Sequence, residues 1–139
     1  MPAPSALLGV HVLVVENDAD ARELIASLLA NCAADVTAVE SAGEALAALD
    51  RRVPDVILSD IEMPEVDGYE FIRLVRARDR AQGGSVAAIA LTAYARPEDR
   101  ERLLRSGFQA HLAKPVDFNE LVATVASFGG KDAPSKRAS

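Results

Sequence analysis

Val56-Ile57-Leu58-Ser59-Asp60-Ile61-Glu62-Met63-Pro64-Glu65-Val66-Asp67-Gly68 is the stretch around which the chain is organised. It opens as an apolar run of strand length and stops at a carboxylate. A proline-containing loop follows, then Asp67-Gly68, then a helical pattern. An apolar run bounded by turn signals reads as a strand buried on both faces. Asp60 then sits at the strand's C-terminal end, the edge where open α/β sheets bind ligands.

The flanking sequence repeats this logic. Val10 to Val15 is β-branched and almost wholly apolar, so it reads as a central strand; it ends at Glu16-Asn17-Asp18. Ala21, Leu24, Ile25, Leu28 and Leu29 then recur at helical spacing, with Asp18 or Asp20 to cap the start. Asp35 to Val39 mixes polar and apolar positions, as an edge strand does. Ser41 and Glu44 form a capping box before the stripe Ala42, Ala45, Leu46, Leu49.

After Gly68, Phe71, Ile72 and Val75 mark a third helix, which Gly83-Gly84 breaks. The arginine run Arg73, Arg76, Arg78 and Arg80 reads as a solvated face that suits a helix C-terminus. Val86 to Leu91 is a strand of small residues ending at Thr92. Pro97-Glu98-Asp99 starts a helix that Gly107 stops. Ala110 to Ala113 is a short strand ending at Lys114-Pro115. Asp117 and Glu120 form a last capping box, before Phe118, Leu121, Val122 and Val125. Alternating strands and helices predict a parallel sheet with helices on both faces.

Composition narrows the function. With 139 residues the chain is one domain with a real core. Residues 1–8 are expected as an N-terminal arm, 9–128 as the domain and 129–139 as a flexible polar tail. Aromatics are 4% of the chain, so Ala, Val, Leu and Ile must build the core. A net charge of −6 argues against direct nucleic-acid binding. The run Leu7 to Val15 is too short to span a bilayer, and no basic residue precedes it. Cys32, the sole cysteine, allows no internal disulfide. The expectation is a soluble, cytoplasmic protein without a membrane partner.

The strand ends bring together Glu16, Asn17, Asp60, Thr92 and Lys114. Carboxylate and carbonyl oxygens suit a hard cation such as Mg²⁺. A carboxylate can attack phosphorus to give an aspartyl phosphate. Phosphoryl transfer asks mainly for positioning and charge neutralisation, which a metal, a lysine and a hydroxyl supply. The site reads as a phosphoryl acceptor.

Five motifs run along the chain, four of them holding these residues: Val14-Val15-Glu16-Asn17-Asp18, Leu58 to Pro64 around Asp60, Asp67-Gly68, Leu91-Thr92-Ala93 and Ala113-Lys114-Pro115. In this order and spacing the chain resembles the receiver domain of two-component response regulators, from about Val10 to Phe128. Its Leu91 to Ala95 and Gly107 to His111 stretches are similar to receivers attached to hybrid histidine kinases. The resemblance implies a flavodoxin-like five-stranded sheet of order 2-1-3-4-5. It makes Asp60 the phosphoacceptor, with Glu16, Asn17, Asp60 and the backbone carbonyl of Glu62 holding Mg²⁺. Thr92 would be the switch hydroxyl, Lys114 the charge-neutralising lysine and His111 the residue at the aromatic switch position. Glu62 and Tyr94 occupy positions that tune phosphoryl loss, and the Lys114-Pro115 bond is expected to be cis.

The implied partners are a histidine kinase or phosphotransfer protein and a downstream protein. The module is not an enzyme beyond its own phosphorylation and dephosphorylation, and it stands alone or is cut from a longer protein. Two departures stand out. Asn17 replaces the usual aspartate of the acidic pair, and His111 replaces the usual tyrosine or phenylalanine. A pseudo-receiver that binds partners without phosphorylation is one alternative. The other is a haloacid-dehalogenase-like phosphohydrolase, which would need an aspartate where Glu62 stands. His11 reads as structural, being on the first strand away from its C-terminal end.

Overall fold

The computed structural model describes residues 3–93 and 96–129. Five strands alternate with five α-helices: β1 (His11–Val15), α1 (Ala19–Ala30), β2 (Asp35–Val39), α2 (Ala42–Arg51), β3 (Val56–Asp60), α3 (Gly68–Arg76), β4 (Ala87–Thr92), α4 (Pro97–Ser106), β5 (Ala110–Ala113) and α5 (Phe118–Gly129). A short 3₁₀ turn at Arg80–Gln82 precedes β4. The strands form one parallel sheet in the order β2-β1-β3-β4-β5. The three inner strands are buried along their whole length, whereas β2 is exposed at several positions, as its mixed sequence requires.

Alternation along the inner strands divides the core into two layers. Leu13, Val15, Ile57, Ala88 and Ala90 face α2, α3 and α4, together with Ala45, Leu49, Phe71, Ile72 and Leu103. Val12, Val14, Val56, Leu58, Ile89 and Leu91 face α1 and α5, together with Ile25, Leu29, Leu121 and Val125. Fully burying one such Leu, Ile, Val or Phe side chain contributes about 1.5–3 kcal/mol.

The helix starts are set locally. Asp18, rather than Asp20, caps α1 by accepting from Ala21 N at 2.8 Å. Ser41, Asp67 and Asp117 accept from the N–H of the residue three ahead, at 3.2, 2.9 and 2.9 Å. Glu44 Oε1 reaches back to Glu40 N, one residue before the cap. Each bond satisfies an N–H that has no partner within the helix.

Three expectations need correction. Leu24 lies off the core stripe of α1 and is 60% exposed, because Ile25 and Leu29 define the buried line. The arginine run is a solvated face at Arg73 and Arg80, but Arg76 is half-buried and Arg78 pairs with Asp50. Ahead of β1, Leu7 is fully buried and its N–H donates to Cys32 O at 2.8 Å. Val10 belongs to this turn, its N–H bonded to Leu7 O, so β1 starts one residue later than expected.

Candidate functional site

The parallel register carries Glu16, Asp60, Thr92 and Lys114 to the carboxyl edge of the sheet. Asp60 is the last residue of β3 and pairs laterally with Leu91, one residue before Thr92 at the end of β4. Thr92 pairs with Ala113, and Lys114 N donates to Thr92 O at 2.9 Å. The main chain thus ties the lysine to the threonine before their side chains are considered. The Lys114-Pro115 peptide is cis.

Three charges meet there. Lys114 Nζ lies 3.0 Å from Asp60 Oδ1 and 3.1 Å from Glu16 Oε1. Both carboxylates are almost fully buried, Glu16 at 1% and Asp60 at 4% exposure. Glu62 N donates to Asp60 Oδ1 at 3.3 Å, and Asp18 N to Glu16 Oε2 at 3.0 Å. Burial pushes the Glu16 carboxyl up, and Asp60 pushes it further; the Asp18 N–H and Lys114 oppose this without cancelling it. Burial alone would lower the Lys114 pKa, but the hydrogen bonds and charges of Asp60 and Glu16 outweigh it and hold the ammonium protonated.

The turn after Asp60 is built around Gly68. Its N–H donates to Ile61 O at 2.8 Å. A Cβ on Gly68 would lie 2.6 Å from Asp60 O and 2.7 Å from Ile61 Cα. Both are backbone atoms and cannot swing aside, so only glycine lets α3 begin this close to the acceptor strand. The next residue, Tyr69, is buried, and the Arg102 guanidinium of α4 stacks 3.7 Å from its ring centroid. This cation–π contact joins the helix after Asp60 to the helix after Thr92.

The other expected residues are placed less tightly. Asn17 is exposed and lines a cleft of about 460 Å³ with Glu40, Ser41, Pro64 and Glu65. Glu62 contributes its backbone N–H to Asp60, while its side chain is exposed. His111 is half-buried on β5, paired with Ala90 and two residues short of the Thr92 level. Thr92 and His111 occupy alternate lateral pairs and so share the α2–α3–α4 face. Tyr94 lies outside the described residues. His11, at the opposite edge, is structural: its Nε2 lies 2.8 Å from Thr37 Oγ1, and its backbone N–H donates to Asp55 Oδ2.

Among the described residues no three His, Cys, Asp or Glu side chains form a metal cage. The oxygen set at Asp60 nevertheless fits Mg²⁺. It offers the buried Asp60 carboxylate, a hard oxygen ligand, with buried Glu16 adding negative charge. Mg²⁺ takes one or two carboxylates and keeps several waters, so a larger protein cage is not required.

One residue at this edge escaped the motif reading. Arg22 Nη1 donates to the backbone carbonyl of Glu16 at 2.9 Å and lies 3.4 Å from that of Asn17. Its signal in the sequence was an arginine in the first turn of a helix, where a cation opposes the helix dipole.

Among the described residues no helix is long and apolar enough to cross a membrane. The family model of the response regulator receiver domain matches residues 12–126. An uncharacterized 14.6 kDa protein of Leptolyngbya boryana is 46% identical over 122 residues, covering 88% of this chain and 92% of that protein. Hybrid signal transduction histidine kinase D of Dictyostelium discoideum is 35% identical over 119 residues, 81% of this chain. The chain spans only 8% of that kinase's length. Among solved structures, the receiver domain of the sensor histidine kinase PA1611 of Pseudomonas aeruginosa, described with a magnesium ion in its active site cleft, has a TM-score of 0.78 and 34% identity. The match covers 86% of this chain and 97% of that one. The parallel 2-1-3-4-5 sheet and the matched span from strand β1 into helix α5 lead to one conclusion: the chain belongs to the receiver-domain family, the signalling modules of two-component systems.

Proposed function

We propose that the chain is a phosphoacceptor that takes a phosphoryl group on Asp60 from a histidine kinase or phosphotransfer protein and switches the binding of a downstream protein. One observation carries this reading: the Lys114 ammonium sits between two buried carboxylates, 3.0 Å from Asp60 and 3.1 Å from Glu16. A structural ion pair needs one anion. Here the second anion leaves the lysine shared, free to follow charge that arrives on Asp60.

In the transfer an Asp60 carboxylate oxygen forms the new P–O bond while the donor's P–N bond breaks, and the electron pair stays on the imidazole nitrogen. Lys114 holds the aspartate in line and then offers a charge-assisted hydrogen bond to a phosphoryl oxygen. The Thr92 hydroxyl donates to a second one. Glu16, Asn17, Asp60 and the Glu62 carbonyl would hold Mg²⁺, which when bound supplies positive charge to the phosphoryl oxygens. Glu62 and Tyr94 tune how water reaches the acyl phosphate. Movement of Thr92 toward the phosphoryl group shifts α4, β5 and His111 between two states. Turnover is confined to this self-phosphorylation and dephosphorylation, and the module works in the cytoplasm with its donor.

The test is intact mass after incubation with acetyl phosphate and Mg²⁺. Wild type is expected to gain one phosphoryl adduct and Asp60→Asn none. An equal adduct on the mutant overturns the assignment. No adduct on either favours the pseudo-receiver reading, which the neutral Asn17 supports. With beryllofluoride, a phosphoryl mimic, amide NMR shifts are expected across Thr92, α4 and β5; shifts confined to the Asp60 loop overturn the coupling.

A further inference from the structure

Arg22 is placed against its local preference. It lies in the first turn of α1, and its own N–H donates to Asp18 O, so its side chain must reach back over the positive end of the helix. Its nearest anion, Glu40 Oε2, is 4.0 Å away and 59% exposed. A pair so exposed is worth little. The firm contact is instead the Glu16 carbonyl at 2.9 Å, with the Asn17 carbonyl at 3.4 Å from the same nitrogen.

We infer that Arg22 is a positioning residue: it clamps the Glu16 and Asn17 carbonyls and so presets the Asn17 amide toward a divalent cation at Asp60. This rests on the Mg²⁺-assisted reading of the site. The remaining groups of Glu16 are already committed, its N–H to Val39 O, Oε1 to Lys114 and Oε2 to Asp18 N. Arg22 completes the set on its carbonyl and extends the restraint to the next residue, which is exposed. An aspartate at position 17 would be drawn to a cation by its own charge. A neutral amide is not, so its affinity depends on being held in place beforehand. The guanidinium's charge alone acts in the opposite direction, since it repels Mg²⁺.

These opposed signs make the test. Mg²⁺ affinity is read from thermal melts of the full chain without phosphodonor, each variant against its own metal-free melt, so that changes in fold stability drop out. Arg22→Lys keeps the charge and loses the planar fork; it is expected to weaken Mg²⁺ about ten-fold, the lower end for partners that orient metal ligands. Arg22→Met is expected to weaken it too, although a repelling charge has gone. In an Asn17→Asp background the Arg22→Lys loss is expected to shrink, a coupling that a double-mutant cycle isolates.

Unchanged affinity in Arg22→Lys, tighter binding in Arg22→Met, or an equal loss in both backgrounds overturns the positioning role. Phosphorylation is scored separately by mass. No adduct on wild type, with an Arg22-dependent Mg²⁺ response, sinks the phosphoacceptor reading and supports the role of Arg22.

Discussion

Two of the half-buried cations in this small fold, Arg76 and Lys114, are treated in opposite ways. Arg76, at the end of α3, donates to Gly107 O through Nε and Nη2 at 3.0 and 2.8 Å, to Gly84 O at 3.0 Å and to Gln109 Oε1 at 3.0 Å. All these acceptors are uncharged, and burial pulls the guanidinium's pKa down. Lys114 faces two carboxylates and its pKa is raised. Backbone carbonyls and a side-chain amide carry no charge that can change, so Arg76 is a permanent rivet. Carboxylates can be esterified or bind metal, so Lys114 belongs to an arrangement that can be rewritten. Burial of a cation does not by itself mark a working site; the chemistry of its acceptors does.

The comparison breaks most visibly at Arg76. Arg76→Ala leaves four bonds unmade and is expected to cost about 3 kcal/mol, within the range for unsatisfied buried acceptors. Arg76→Lys should recover little of this, because an ammonium cannot reproduce the fork. Denaturant unfolding measures both, and a loss below about 1 kcal/mol would remove the rivet from the account. Lys114→Met should do the reverse: phosphoryl uptake from acetyl phosphate falls about a hundred-fold, the scale for losing one stabilising donor. The fold should survive at some cost, since Glu16 and Asp60 lose the cation but keep the Asp18 and Glu62 N–H bonds. Uptake at the wild-type rate would mean that Lys114 is merely structural.

A smaller effect sharpens the charge balance. Asn17→Asp is expected to bind Mg²⁺ more tightly by about 1–2 kcal/mol, the scale of a close charge pair near a protein surface. Without metal it should be no more stable than wild type at neutral pH, because a further carboxylate joins Glu16 and Asp60. A melt whose Mg²⁺ dependence is unchanged would place residue 17 away from the cation.

The smallest effect lies at the amino edge. Burial, then Arg52, holds the His11 imidazole below its usual pKa, against the pull of Asp35 and Asp55. The unfolded chain therefore binds the proton more readily, so this contribution is present above the unfolded pKa of about 6.5 and is lost as pH falls below it. Wild-type melts should drop from pH 7 to pH 5.5 more steeply than those of His11→Gln. Parallel pH profiles would show that His11 titrates alike in both states.

The strands and caps were legible because their signals are local. The apolar runs ending at Glu16, Asp60, Thr92 and Lys114 mark the carboxyl edge directly, and Asp67 and Ser41 announce their helices within four residues. Arg76 was misread because two of its three acceptors lie 31 and 33 residues away, in a loop that no periodicity reveals. A clue was present: Arg76 follows Ile72 by four positions and so continues the apolar stripe of α3. Arg22 was missed because its acceptors are main-chain carbonyls, which every residue carries. Leu24 went the other way; helical spacing placed it near the stripe without saying which of two adjacent leucine lines would face the sheet.

The Leu7 turn bears on where this molecule can be cut and joined. The strand boundary at His11 invites trimming the chain to begin at Val10. Leu7, however, is the plug that closes the layer between α1 and α5, tied to Cys32 O at one end of α1. Removing a buried leucine typically costs about 2–5 kcal/mol, as much as a serious core lesion. A tag, linker or fusion partner is therefore better joined before Leu7, at the exposed residues 3–6.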